Sequence, residues 1–377
     1  MQANPLGVMY RVVELGSIVA APFAGEILAQ LGFDVVKVEP ISGDPTRRDD
    51  VLHDSMFIYF SRGKRSVALD LKRDEGREIF LKLVENSHVL IENFAPGVME
   101  RLGLGKDTLL KVNPKLVYCS IKGYPRGEYA RWPAFGTLVE AVSGITWSNG
   151  SSPSRLPASI TDMAASMYCV INVLWALLNN KPGYYEVTLY QSSVVWLGYY
   201  IIAYQTLGKL FPGSGDRVPF WAPYELFRTS DGRYVYIAVN NDERWIRLCR
   251  VLNIDPRVQQ EFSSNAERVR RRDELHELLQ SVIIRYTLRE ILDLLLSNDI
   301  PAAPLMAVPD VVNSELPEWE QVNRGGATIK VPRIPVPGTL SERGVPRIGE
   351  NTEEVLRELG YDEDAIRRLA IQGVIKT

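Results

Sequence analysis

Short apolar runs alternate with longer segments of helical character over the first third of this chain, and few folds accommodate such a pattern. Residues 8–15, 35–39, 66–71, 89–94 and 116–121 read as strands, with helices at 20–31 and 74–85 between them. The strand runs are continuously apolar rather than alternating, as expected of strands covered on both faces. Strands separated by helices predict an α/β fold, a parallel sheet with helices packed on each side.

The character changes past the middle. Residues 190–207 are apolar and helical, and 208–219 are rich in Gly and Pro. An Asp231-Gly232 turn flanked by 225–228 and 234–239 predicts a β-hairpin. Helical patterns follow at 242–252, 272–284 and 288–297, whereas 301–346 is punctuated by Pro and reads mostly as loop or linker. Helical stretches at 352–359 and 362–371 close the chain. The expected organisation is a large α/β domain over 1–207, a linker at 208–223, a small α+β domain over 224–300, a second linker at 301–345 and a C-terminal segment at 346–377.

Composition removes several function classes. A formal net charge of −3 with 24% charged residues gives no electrostatic footprint for nucleic acid. Cys119, Cys169 and Cys249 lie far apart among apolar neighbours, which predicts buried thiols in a reducing cytoplasm. No basic-then-apolar leader pattern opens the sequence, and the longest apolar run is interrupted by Asn172 and ended by Asn179-Asn180, so neither a signal peptide nor a membrane span is expected. HExxH, GxSxG, GxGxxG and GxxxxGK[ST] motifs are absent, and His53, His88 and His276 have no partner in sequence. Neither a catalytic metal nor a dinucleotide site is expected.

Chemistry-bearing residues remain at the ends of the expected strands and at one helix start. Asn93 ends a strand, and with Arg101 in the next helix it is placed to meet a polar, anionic ligand; a plain strand–turn–helix with a surface Arg reads equally well. Lys122 and Tyr124 follow another strand, placed either for a phosphate and an acyl group or as a turn with a snorkelling Lys. Asp162 heads the apolar run 161–178. A carboxylate there caps the helix, a role worth roughly 1 kcal/mol, or attacks an electrophile, and spacing alone leaves both open.

Further segments stand in a fixed order along the chain: Val12-Val13-Glu14-Leu15, Ala20-Ala21-Pro22-Phe23-Ala24, 31–40, 43–47, 64–72, the block from Asn93 to Gly105, 114–124, and 346–360 with its Arg347-Ile348-Gly349-Glu350-Asn351. Together they resemble the family III CoA-transferases, the superfamily of carnitine and formyl-CoA transferases and 2-methylacyl-CoA racemases. The resemblance implies a Rossmann-like large domain with a parallel sheet, a smaller α+β domain and a C-terminal segment that returns to the large one. It also implies an interlocked homodimer, with the site between the large domain of one chain and the small domain of the other. It makes Asp162 the catalytic residue and places coenzyme A, a co-substrate, against Val19, Ala20, Leu69, Lys72, Asn93, Phe94, Arg101, Lys122 and Tyr124. No tightly bound cofactor and no metal are implied. The substrates would be an acyl-CoA and a carboxylic acid.

The sequence departs from the pattern in places. Pro40 stands where relatives often carry an Arg for the adenine end, and Gln191 where an acidic residue is frequent. Ala164, Ala165 and Ser166 replace small Gly residues after Asp162, and Gly213-Ser214-Gly215 is the nearest counterpart of a Gly-rich flap. Racemases of the superfamily pair the Asp with a His; here Phe135 occupies the His position, and of two readings for Glu140 nearby, a substitute base or a helix surface or cap residue, the second is expected. The reading is an acyl-CoA:carboxylate CoA-transferase working through an aspartyl anhydride and an aspartyl-CoA thioester at Asp162. A racemase-type isomerase and a CoA-binding protein without turnover are the alternatives. Phe220, Trp221 and Tyr224 are candidates for an acyl pocket.

Overall fold

The structure, a computed structural model, describes residues 10–48, 51–150, 152–211, 213, 215–324, 326–338 and 344–377. Its strands are β1 (Arg11–Leu15), β2 (Asp34–Glu39), β3 (Arg65–Leu69), β4 (Val89–Glu92), β5 (Val117–Lys122), β6 (Gly183–Thr188), β7 (Tyr224–Arg228), β8 (Tyr234–Ala238), β9 (Ala302–Pro304), β10 (Trp319–Arg324), β11 (Ala327–Pro332) and β12 (Ile375–Lys376). The helices of the first half are α1 (Ala20–Gln30), α2 (Val51–Ser61), α3 (Asp74–Glu85), α4 (Val98–Arg101), α5 (Lys106–Val112), α6 (Gly136–Ser143), α7 (Ile145–Ser148), α8 (Ile160–Leu178), α9 (Leu189–Val194) and α10 (Gly198–Leu207). Those of the second half are α11 (Asp242–Val251), α12 (Pro256–Glu261), α13 (Asn265–Arg270), α14 (Arg272–Ile283), α15 (Leu288–Leu296), α16 (Val308–Val312), α17 (Thr352–Glu358) and α18 (Glu363–Ile371).

The apolar runs of the first half form one sheet in the order β12-β3-β2-β1-β4-β5-β6. Strands β1 to β6 pair in parallel, and β12 closes the β3 edge antiparallel. Every residue of β3 and β4 is buried, which accounts for the apolar runs Val67–Leu69 and Val89–Ile91 within them. One face packs on α1 and α8 through Val12, Ala24, Leu28, Cys119 and Cys169. The other packs on α3, α5, α17 and α18 through Val13, Phe80, Leu83, Leu109 and Leu356. The chain runs outward from β1 to β3, then returns to β4 on the far side of β1. That reversal makes a switch point between the carboxyl ends of β1 and β4, where ligands of open α/β sheets bind.

Two compact units result. The larger comprises residues to Thr146, Arg155–Ile201 and Glu318–Thr377; the smaller comprises Trp147–Ser154 and Ile202–Pro317. In the smaller, the expected hairpin is β7–β8, extended by β9 and packed on α11, α14 and α15 around Phe227, Trp245, Leu248 and Leu279. In the larger, the C-terminal segment is tied to β3: Ser66 N–H donates to Asn351 Oδ1 at 3.0 Å and Ala68 N–H to Thr352 Oγ1 at 3.1 Å.

The Pro-punctuated stretch after residue 300 combines loop with short elements: it holds β9, α16 and the β10–β11 hairpin, whose Val322 and Val331 pack on Ile58. Pro304 and Pro332 sit at strand ends, where a missing N–H costs nothing. Asn172 interrupts the apolar run in sequence without breaking the helix: its amide donates to Tyr168 O at 2.8 Å, and α8 continues for 19 residues, long and apolar enough by length and composition to cross a membrane. One face of α8 (Ala164, Ala165, Cys169, Val173 and Ala176) is packed in the core, while Ile171, Trp175 and Leu178 are exposed.

Candidate active site at the carboxyl edge of the sheet

The turn from β1 into α1 lies at the switch point and is held from two sides. Asn93, just past β4, brackets one residue of it: Ser17 N–H donates to Asn93 Oδ1 at 3.0 Å, and Asn93 Nδ2 donates to Ser17 O at 2.9 Å. Beneath, the buried Lys37 ammonium donates to Gly16 O at 2.9 Å and to Glu14 Oε1 at 3.0 Å. Lys64 shares the same carboxylate, with Glu14 Oε2 at 2.5 Å. Burial pushes the Lys64 ammonium below its ordinary range. Burial acts on Lys37 in the same sense, but Glu14 and Asp44 outweigh it and hold that ammonium above its usual value.

So constrained, the turn adopts unusual geometry. Ile18 has φ +68°, an outlier for a β-branched residue. Such a conformation costs on the order of 1–3 kcal/mol and persists where its surroundings impose it. Gly16 is required there, because a Cβ would lie 2.3 Å from Ala21 Cβ and 2.5 Å from Asn93 Oδ1. Val19 is the N-cap of α1 and no side chain caps it, so the first N–H groups of that helix lack a capping partner.

Asp162 sits opposite. It occupies the third position of α8, whose N-cap is Ser159, so neither Asp162 nor Thr161 caps the helix. Thr161 is buried, with Ser193 Oγ donating to its Oγ1 at 3.1 Å. One turn further, Ser166 Oγ donates to Ala20 O at 2.6 Å and lies 2.8 Å from Asp162 O, stapling the Asp162 turn to the start of α1. The carboxylate lies against the backbone of Gly136, where a Cβ would fall 2.0 Å from Asp162 Oδ2. Burial pushes the Asp162 carboxyl up to about 6; its own N–H opposes the rise and the charge of Glu140 adds to it. Glu140 is not on a helix surface as expected: it is 1% exposed.

The remaining candidates spread along the same edge. Val19 and Ala20 lie buried between the Asn93 clamp and the Ser166 staple. Tyr124 is buried beside Tyr129 and Tyr190, with ring centroids 5.9 and 6.4 Å away. Lys122 turns back on the protein, donating to Glu92 Oε1 at 2.8 Å, to Glu92 Oε2 at 3.0 Å and to Phe94 O at 2.8 Å, which engages all three of its donors. Arg101 is exposed, without an ion-pair partner among the described residues. On β3, Leu69 is buried and pairs with Ile375 of β12, while Lys72 beyond it is exposed. From β3 to β5 the edge spans four strand spacings, about 19 Å, so these residues can share only an elongated ligand.

No described histidine adjoins Asp162 within the larger unit. His88 Nδ1 accepts from Arg11 N–H at the amino end of β1. His276 belongs to the smaller unit, 3.0 Å from Glu225 Oε2. The side chain of His53 and all of Ser214 lie outside the described residues. Phe135 is the exposed N-cap of α6. Phe220, Trp221 and Tyr224 form an aromatic run in the smaller unit, with successive centroids 6.4 and 5.8 Å apart.

The sequence matches the family model for CoA-transferase family III over residues 9–352. The chain belongs to that family. Among similar family III CoA-transferases is the acetyl-CoA:oxalate CoA-transferase of Acetobacter aceti, 30% identical over 93% of this chain and 95% of that protein. The succinyl-CoA–L-malate CoA-transferase beta subunit of Chloroflexus aurantiacus is 31% identical over 97% of each chain. A CaiB/BaiF family protein from Brucella suis superposes with a TM-score of 0.82 at 29% identity, covering 95% of this chain and 100% of its own. Two residues at this site take a place that their sequence context does not disclose: Gly136, against which the Asp162 carboxylate lies, and Glu140, buried rather than on a helix surface. Neither belongs to a local motif that marks it.

Proposed function

We propose that this protein transfers coenzyme A from an acyl-CoA to a carboxylic acid through covalent intermediates on Asp162. The observation that carries the reading is a carboxylate without structural employment. Asp162 caps no helix, pairs with no cation among the described residues, and is raised in basicity by burial beside a glycine that leaves its oxygen uncovered. Desolvated carboxylates of this kind are competent nucleophiles.

In the first step an Asp162 oxygen bonds to the acyl carbon, the C–S bond breaks and its electron pair leaves on sulfur as CoA thiolate. The thiolate attacks the aspartyl carbonyl of the resulting anhydride, giving an aspartyl-CoA thioester and expelling the donor's carboxylate. The acceptor carboxylate repeats the exchange in reverse order, leaves as its own CoA thioester and frees Asp162. Each addition passes through an oxyanion, for which the uncapped N–H groups at the start of α1 are suitable donors. The CoA chain would lie along the carboxyl edge, with exposed Lys72 and Arg101 toward its phosphates and the Val19–Ala20 turn toward the thioester.

The named relatives act on dicarboxylic acids, oxalate and malate among them, which makes small dicarboxylates the first acceptors to try. Exposed apolar side chains on the helices of the larger unit, including Leu138, Val142, Ile171, Trp175, Trp196 and Tyr199, support a homodimer. Three free, buried cysteines fit a reducing cytoplasm.

Incubation with a panel of acyl-CoAs, followed by intact-mass measurement with and without hydroxylamine, tests the proposal. A CoA or acyl adduct that maps to Asp162 and is absent from Asp162→Ala is expected. Absence of any adduct, with Asp162→Ala transferring CoA as well as the parent, removes the transferase reading. The Phe135 position supplies no proton acceptor for the racemase alternative, so no α-proton exchange in deuterated water is expected.

A further inference from the structure

Of the two buried cations under the β1–α1 turn, Lys37 has a third partner with no role in the scheme above. Its ammonium, fully buried on β2, reaches three oxygens: Glu14 Oε1 at 3.0 Å, Gly16 O at 2.9 Å and Asp44 Oδ2 at 2.9 Å. Glu14 lies near the end of β1, Gly16 in the turn that leads to Val19 and Ala20, and Asp44 in the connection that leaves β2. That connection is held from within. Asp44 Oδ1 accepts from Thr46 N–H at 2.9 Å and from Thr46 Oγ1 at 2.6 Å. Glu39 Oε2 accepts from Asp44 N–H at 2.9 Å and from Arg47 Nε at 2.8 Å. Asp44 and Thr46 are buried, whereas Pro40 and Ser42 of the same segment are exposed.

The sheet order β3-β2-β1-β4 puts this connection between Lys72, which follows β3, and the Val19–Ala20 turn, which follows β1. An elongated ligand with phosphates toward Lys72 and a thioester at the turn crosses the carboxyl end of β2. One ammonium therefore joins the segment under the middle of the ligand to the segment under its reacting end. Stability does not call for such a group, because replacing buried charges with well-packed apolar residues is often neutral or stabilising. No apolar side chain, however, holds Gly16 O and Asp44 to a common point.

We propose that Lys37 is a positioning residue: tied at once to Gly16 O and to Asp44, it couples the turn at the reacting end to the way the nucleotide half of CoA is held. Binding energy from the nucleotide then raises kcat and not affinity alone. The inference rests on the CoA-transferase reading and on CoA lying along the carboxyl edge.

The test compares an acyl-CoA with the same acyl group on pantetheine, which lacks the nucleotide, in the parent and in Asp44→Asn. Asparagine keeps an oxygen for Thr46 and turns an NH2 donor toward the Lys37 ammonium, so the link opens while the loop keeps its other bonds. In the parent, kcat is expected to be higher with the CoA thioester by about tenfold or more. In Asp44→Asn that ratio is expected to fall toward one, through a loss of kcat with acyl-CoA. A merely structural role lowers both substrates alike and leaves the ratio as it was. An unchanged ratio in an Asp44→Asn protein with the parent's melting temperature therefore overturns the proposal, as does a parent with the same kcat for both thioesters. Should Asp44→Asn not fold, the parent decides by addition in trans. Saturating 3′-phosphoadenosine 5′-diphosphate, its binding read from inhibition of acyl-CoA turnover, is expected to raise kcat for acylpantetheine, and no rise overturns the coupling. A parent that transfers CoA and forms the Asp162 adduct yet fails these comparisons sinks only the role of Lys37. A parent with neither transfer nor adduct sinks the CoA-transferase reading, and this inference with it.

Discussion

At Asp162, burial raises the carboxyl to about 6, so the group gains its charge as pH rises through that value. The rate of CoA transfer should therefore climb between about pH 5 and 7, measured as kcat/KM against pH. Stability should run the other way. A carboxyl whose folded value lies above its unfolded one favours the fold below the unfolded value, and that contribution is lost as pH rises through the folded value. Asp162→Asn is thus expected to be inactive yet more stable than the parent at pH 8, by roughly 2–3 kcal/mol, with the gain absent at pH 4. Thermal melts at the two pH values check this. Gly136→Ala is the complementary change: its Cβ would meet Asp162 Oδ2 at 2.0 Å. Displacing a reacting oxygen by about 1 Å can cost on the order of 100-fold in rate, so kcat should fall by that order while the melting temperature stays near the parent's.

Among the elements, the β1–α1 connection shows how a strained loop is kept in place. The positive φ of Ile18 survives because Asn93 satisfies both backbone groups of Ser17 and Lys37 holds Gly16 O from below. Asn93→Leu would leave the Ser17 N–H and C=O unpaired, a cost of about 1–3 kcal/mol each where they stay buried. The expected outcome is a lowered melting temperature together with a KM for acyl-CoA raised more than kcat is lowered, read from steady-state kinetics. The geometry gives Asn93 a role that spacing does not disclose: it shapes the turn that Val19 and Ala20 present. Lys122 departs similarly from a simple phosphate contact, because Glu92 and Phe94 O occupy its donors. A two-residue strand such as β12 carries no periodicity at all; it exists because the β3 edge offers unpaired backbone groups and the C-terminus reaches them.

For the molecule as a whole, the outward faces of the helices over the sheet leave Ile171 and Trp175 each more than half exposed, at 57% and 51%. Isolated apolar residues on a surface need no explanation, but several on adjoining helices call for a partner. With a homodimer as the proposed occupant, the double variant Ile171→Asp, Trp175→Asp is expected to sediment as a monomer where the parent sediments as a dimer. A parent that sediments as a 42.5 kDa species at micromolar concentration would remove the dimer.

The strand–helix alternation, the Asp231-Gly232 hairpin and the single carboxylate heading an apolar helix were all written locally. Continuous apolar runs, turn residues and helix periodicity are properties of neighbours in sequence. The β10–β11 hairpin escaped because Pro at its ends masked it, and α8 proved continuous through Asn172 because an exposed amide can bond back to its own helix. What touches Asp162 was settled only by packing. Gly136, Glu140, Ser166 and Ala20 reach it or its turn from three separate helices, and no periodicity links them. A carboxylate's basicity depends on the solvent and charges it faces, and those are assigned when α1, α6 and α8 close over the sheet.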